Sequence, residues 1–209
     1  MGLREQNKNK RYNSIIKTAE HLFIQTGPER VQMQDIADQE EIGIATLFRY
    51  FPKKDKLIVA AAVSIMEKEY TQFEILMNRD TTAIGKLELI FNHLIHIFLN
   101  PSKDAAKFID SFESYAANSA EPLEDIDLYY AARGEISELF TMIIQEGKED
   151  GSIRDDINTK ENIVSIINSF GLFTRKLTVT NTASFFESDV ESLKQLEIMK
   201  EIYLSYVKT

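Results

Sequence analysis

The chain is 209 residues long, 44% hydrophobic and free of cysteine, which leaves material for a core and excludes disulfide frameworks, thiolate metal sites and cysteine nucleophiles. Its net charge of −9 is unevenly spread: residues 1–60 carry 10 Lys/Arg against 8 Asp/Glu, whereas 61–209 carry 14 against 25. A polyanion is repelled by the acidic part and can meet only the amino-terminal end. The polar, basic opening MGLREQNKNKRYN does not read as a secretory leader. LIVAAAVSIM at 57–66 is about half of the roughly 20 apolar residues that span a bilayer, so a soluble cytoplasmic protein is expected, with no membrane partner.

Helical periodicity runs through the chain. Ile15, Ile16, Ala19, Leu22 and Phe23 recur at three- and four-residue steps and give a first helix one inward face, ended by Gly27-Pro28. A short helix is predicted over about 33–40, with Met33, Ile36 and Ala37 on one side. Gly43 marks a turn, a third short helix spans 44–51, and Pro52 halts it before a long helix over about 53–77. Further helices read as 87–99, closed by Asn100-Pro101; 103 to about 119, closed before Pro122; and 125–150, capped by Gly151. Two more span 159 to about 177 and 188–207, the last opened by a capping box at Ser188 and Glu191. No alternating strand or repeat breaks the pattern. The fold class is therefore all-α, with about nine helices: a three-helix helix-turn-helix domain over 8–68 (helix-turn-helix about 32–51) and a larger helical domain over 69–209.

The stretch GIATLFRYFPKKDKL, 43–57, joins an oily face to a cationic one. On a helical wheel Leu47 and Phe51 share the inward face with Ile44 close by, Ala45, Thr46 and Arg49 point away, and Phe48 and Tyr50 flank them. Ala45 and the Thr46 methyl suit thymine methyl groups in a major groove, and Arg49 suits guanine or phosphate. Lys53, Lys54 and Lys56 stand at the start of the next helix, where a helix N-terminus and ammonium groups both favour phosphate. Arg4, Lys8, Lys10 and Arg11 offer backbone or minor-groove contacts.

Taken together, AEHLFIQTG, QDIADQ and ATLFRYFPKKDKL, over about residues 11–60, resemble the N-terminal domain of the tetracycline-repressor (TetR) family. The resemblance implies DNA-facing positions at Gln34, Ile44, Ala45, Thr46, Phe48, Tyr50 and Lys54; the wheel and the charge pattern add Arg49 and Lys53. The two readings differ over Ile44, which the wheel turns inward. The chain departs from the family pattern at Glu41, where glycine is usual, at Gly43, where a polar residue is usual, at Gln32, where a threonine usually caps the second helix, and at Phe48, where tyrosine is common. EGKEDGSIRDD is similar to the family's turn after its seventh helix. Few groups on this surface can make bidentate base contacts, so an AT-leaning, palindromic double-stranded operator is expected.

In the acidic part, Ile163, Ile166, Ile167, Phe170, Phe173 and Leu177 form one apolar stripe, with Gly171 permitting close helix approach. The last helix is apolar on more than one face. Core packing explains either helix; the resemblance implies a homodimer through the last two helices, with Ile163, Ile167, Phe170, Leu196, Met199 and Tyr203 at the interface. Aromatic residues crowd the middle helices, and core is again the plain reading. The resemblance implies a pocket there for an unknown small molecule, apolar or cationic, with Phe108, Phe112, Glu113, Tyr115, Tyr129 and Phe140 as candidate contacts and Asp110 as a further polar group. His93 and His96 lack an accompanying Glu-x-x-His pair, 150–156 lacks the spacing of a calcium loop, and no phosphate-cradling glycine loop or nucleophile elbow occurs. No metal, cofactor or catalysis is expected. The reading is a transcriptional regulator, most simply a repressor released from its operator by a ligand. The alternative is a helix-turn-helix module that senses no small molecule and answers to a protein partner.

Overall fold

The computed structural model describes residues 2–100, 104–180 and 191–209. Among these the helices are α1 (Leu3–Thr26), α2 (Met33–Gln39), α3 (Ile44–Tyr50), α4 (Lys54–Met77), α5 (Ala83–Leu99), α6 (Asp104–Asn118) and α7 (Ile126–Asp150). After them come α8 (Thr159–Ile166), a π-helical turn (Ile167–Gly171) and α9 (Leu172–Thr180) without a break, and finally α10 (Ser192–Val207). With the unbroken run counted as one rod, the described residues hold nine, and the isolated antiparallel bridge between Ile153 and Lys208 is their one β feature. None of these helices is long and apolar enough to cross a membrane.

The chain divides into two compact units. The first gathers the residues up to Glu67 together with Lys107–Ala132; the second holds Lys68–Ala106 and Arg133–Thr209. The linear boundary expected at 68/69 therefore does not separate 107–132 from the amino-terminal helices. Phe108 stacks on Phe23 with ring centroids 5.8 Å apart, inside one core with Ile15, Ile36, Leu47, Leu57 and Ile58. Periodicity reports that a helix face is apolar, not which helix covers it. Each such side chain contributes about 1.5–3 kcal/mol by leaving water.

Local chemistry sets the boundaries in this unit. Gly27, at φ 88°, closes α1 by donating its N–H to the Phe23 carbonyl at 2.9 Å. At the head of α2 the Asp35 carboxylate accepts the Gln32 N–H at 2.7 Å, so an aspartate one turn inside the helix serves the end where a threonine was the expected cap. Gly43 precedes α3, and the Phe51 N–H bonds to the Leu47 carbonyl at 2.9 Å as the helix ends before Pro52.

In the second unit Leu87, Ile90, Phe91, Ile143, Ile144 and Phe170 form the core, with Phe73 edge-on to Phe140 at 5.9 Å. Helix α5 starts at Ala83, a turn earlier than its apolar pattern. Its first N–H groups are held by side chains distant in sequence: Ala83 donates to Asp150 at 2.9 Å and Ile84 to Ser152 at 3.3 Å. Asn158 caps α8 by accepting from the Glu161 N–H at 3.2 Å. The buried Thr174 and Thr178 hydroxyls donate to the carbonyls of Phe170 and Thr174, each at 2.7 Å, so neither is left unpaired. The space beside Gly171 is open within the chain, so no close helix approach here requires that glycine. The capping box expected at Ser188 and Glu191 falls largely outside the described residues; Glu191 makes no side-chain cap bond to α10.

Candidate nucleic-acid interface

Helices α2 and α3 are joined by a turn whose backbone closes α2 in a Schellman arrangement. Ile42 N–H donates to the Ala37 carbonyl at 2.9 Å and Glu41 N–H to that of Asp38 at 3.1 Å, with Glu41 left-handed at φ 54°. This is the position at which glycine was the usual residue. Glu40, just before it, is pinned to α1: its carboxylate accepts the Thr18 hydroxyl at 2.6 Å and pairs with Arg11 at 3.5 Å. On the far side Tyr12 of α1 stacks on Phe51 at 4.9 Å. The turn and the carboxyl end of α3 are thus fixed to α1.

This frame decides what α3 presents. Leu47 is fully buried and anchors the helix. Ala45, Phe48 and Arg49 are exposed, Phe48 by 44%, while Thr46 is half-exposed and accepts a 3.4 Å bond from the Arg49 guanidinium. Ile44 and Tyr50 are half-buried against the core, so for Ile44 the wheel and the family pattern each capture one side. Gln34 on α2 is exposed, and its amide donates to Asp38 at 2.6 Å. The result is a short helix with an apolar keel and a small, mixed outward strip.

The lysines that follow are not simply exposed. The Lys54 ammonium donates to the Glu29 carbonyl at 3.1 Å, and partial burial lowers its pKa from the ordinary lysine value. Two of its N–H groups remain for another acceptor. Lys53 pairs with Glu124 at 2.8 Å; Lys56 pairs with Glu124 at 2.9 Å and Asp125 at 3.1 Å. These bonds raise the pKa values of both lysines and hold the Glu124 carboxyl below its usual range. The Tyr115 hydroxyl donates to Asp55 at 3.0 Å. Residues 115–125 therefore grip the first turn of α4, a feature with no local signal in sequence, since Lys53 and Glu124 lie 71 positions apart.

Also beside the carboxyl end of α3, Arg4, Lys8 and Arg11, spaced along one face of α1, line an open groove of about 630 Å³ with Glu5, Asn7 and Tyr50. These residues are helical from Leu3 onward, so the first two cations are carried on a rod rather than on an extended arm.

The other expected sites are placed differently. Phe108, Phe112 and Tyr129 are almost wholly buried in the first unit's core, Phe112 edge-on to Tyr129 at 4.7 Å. Glu113 accepts the Tyr129 hydroxyl at 2.7 Å, and Tyr115 is tied to Asp55. Phe140 is buried in the second unit's core. These six side chains are engaged with protein, five in the first unit and Phe140 in the second. Similarly, Ile163, Phe170 and Leu196 are buried within the chain's own core, and Ile167, Met199 and Tyr203 pack against it. The apolar surface left exposed on α10 is instead Ile198, Ile202 and Tyr206, four residues apart along one face, with Val164 exposed on α8. The wheel showed two oily faces on α10 but not which one the chain itself covers. His93 faces Glu69 at 3.3 Å and sits edge-on to Phe73, and among the described residues no three His, Cys, Asp or Glu side chains gather as a metal site.

A helix pair joined by a capped turn, seated on α1 and offering the outer face of its second helix, defines a helix-turn-helix protein. Residues 15–61 match the family model described as bacterial regulatory proteins, tetR family. Over these residues the chain carries a helix-turn-helix domain of the TetR type. It is 29% identical over 132 residues to the HTH-type transcriptional repressor KstR of Mycobacterium tuberculosis, covering 51% of this chain and 57% of that one. The match thus spans little more than half of that relative. Among solved structures, the regulator FadR from Bacillus subtilis in complex with stearoyl-CoA superposes with a TM-score of 0.72 at 16% identity, covering 94% of this chain and 99% of that one. A putative regulator from Saccharomonospora viridis in complex with choline gives 0.71 at 16% identity, covering 96% and 99%. At these identities the two structures share the fold.

Proposed function

We propose that this protein is a DNA-binding transcriptional repressor that acts as a homodimer on a palindromic operator. The observation that carries the reading is α3 itself, held by buried Leu47 while Ala45, Thr46, Phe48 and Arg49 face outward. In a major groove Ala45 and Thr46 touch thymine methyls, and Arg49 reaches guanine or phosphate. Gln34, Ile44 and Tyr50 border that strip, and Lys53, Lys54 and the α1 cations Arg4, Lys8 and Arg11 anchor the backbone. The exposed row Ile198, Ile202 and Tyr206 supports a second copy as partner, and a two-fold dimer sets two such helices on half-sites at least a helical turn apart. A chromosome-binding role places the protein in the cytoplasm. Selection of duplexes from a random pool, with footprinting of DNA around the protein's own gene, tests this. An AT-leaning inverted repeat is expected; strictly GC half-sites, or no enrichment, refutes it.

Release by a small ligand is the finer part of the proposal. It is supported by the two neighbours solved with stearoyl-CoA and choline, one a long apolar acyl chain on a polyanionic carrier and one a small cation. A ligand acts by binding more tightly to the form that does not fit the operator. The second reading, a module governed by a protein partner alone, is favoured by one observation: Phe108, Phe112 and Tyr129 pack into core. A panel of apolar and cationic compounds screened for a rise in Tm and for loss of DNA binding separates the two.

A further inference from the structure

Lys53, just before α4, and Lys56, in its first turn, follow the recognition helix, and both are already paired with carboxylates of this chain. Glu124 meets Lys53 at 2.8 Å and Lys56 at 2.9 Å, and Asp125 adds a second carboxylate to Lys56 at 3.1 Å. Asp125 holds the left-handed conformation at φ 68°, which only a few per cent of non-glycine residues adopt, so the corner delivering the carboxylates is a strained one. The Tyr115–Asp55 bond secures the same turn from the same segment. Two carboxylate oxygens around an ammonium reproduce what a phosphodiester offers it: a fixed negative charge and short acceptors.

On the reading that α3 binds DNA, we propose that Glu124 determines nucleic-acid affinity as a competitor built into the chain, occupying Lys53 as a backbone phosphate does. While its bond to Glu124 holds, Lys53 offers phosphate two N–H groups rather than three and a charge already offset, and Glu124 nearby repels the incoming backbone. Lys53 is largely exposed at 68% and Glu124 partly so at 38%, which leaves the bond open to exchange. Wild-type affinity is thereby held below what the same helix would reach with Lys53 released. Any change that moves residues 115–125 relative to α4 alters the charge offered to DNA without touching a base-reading side chain.

The test uses the full chain and a random-sequence duplex of fixed length, so no operator need be known. Glu124→Gln is expected to tighten binding about threefold to tenfold near 0.1 M salt and to steepen the salt dependence by about one counterion. Glu121→Gln, at an exposed position nearby, changes the net charge equally and is expected to give a smaller gain without the change in slope. Lys53→Ala should cost more affinity in the Glu124→Gln background than in wild type. Equal gains from Glu124→Gln and Glu121→Gln, or equal costs of Lys53→Ala in both backgrounds, overturn the proposal while leaving DNA binding intact. Failure of wild type and all variants to bind any duplex overturns the DNA-binding reading itself.

Discussion

Replacing Glu41 by glycine should stabilise the amino-terminal unit. Glu41 sits at φ 54° in the turn between α2 and α3, a conformation that costs an L-residue about 1–2 kcal/mol through contact of Cβ with its own backbone. Glycine removes that cost but gives the unfolded chain more freedom, worth about 0.4–1 kcal/mol in the opposite direction. The balance is about 0.8 kcal/mol in favour of Glu41→Gly, a rise of about 2–3 °C in Tm for a chain of this size. The carboxylate adds little, because it follows the negative end of α2 and precedes the positive end of α3, and these effects oppose each other. Urea unfolding followed by far-ultraviolet circular dichroism and tyrosine fluorescence measures the change. Glu41→Ala is the control, since it deletes the charge and keeps Cβ. Wild-type stability for Glu41→Ala with a gain for Glu41→Gly is the expected pattern. Equal gains would assign the effect to charge, and no gain for glycine would refute the strain argument.

Lys54→Ala should weaken DNA binding about equally across sequences and reduce the salt slope by about one; a changed sequence preference at constant slope would refute a phosphate contact. Ile202→Glu, in the middle of the exposed row on α10, should leave the fold intact and yield a monomer by light scattering at concentrations where wild type is dimeric. Asp150 has its carboxyl held below the usual range by bonds from the Ser152 side chain and the Ala83 and Ser152 N–H groups. Because the folded value lies under the unfolded one, its stabilisation is complete above about pH 4 and is lost as pH falls through the folded value. Asp150→Asn should therefore be less stable than wild type near neutrality, with the gap closing below about pH 4 in denaturation midpoints.

The helices were legible because each carries an apolar face at helical spacing, and Gly27 and Pro52 end their helices where they stand in sequence. The outward strip of α3 was legible for the same reason: with Leu47 inside, Ala45 and Arg49 have to face out. What sequence did not disclose rests on pairings between distant positions. The early start of α5 depends on Asp150 and Ser152, and the state of Lys53 depends on Glu124. The aromatic residues from Phe108 to Tyr129 read most plainly as core, with a pocket implied by the resemblance alone, and sequence did not disclose that Phe23 stacks on Phe108. Likewise α10 announced two oily sides, and only the placement of Phe91 and Phe170 against Tyr203 showed which one was taken.

The π-helical turn at Ile167–Gly171 has a practical corollary for anyone recombining this protein with its relatives. A wider coil over five residues winds the rod less than an ordinary one would, by roughly one residue's rotation, about 100°. Side chains from Leu172 onward consequently emerge at a different compass bearing from the one an uninterrupted helix would assign. A chimera spliced by matching letters across this point would aim Thr174, Leu177 and Thr178 at the wrong neighbours, whereas one joined after Gly171, with the slack turn carried along, keeps them inward.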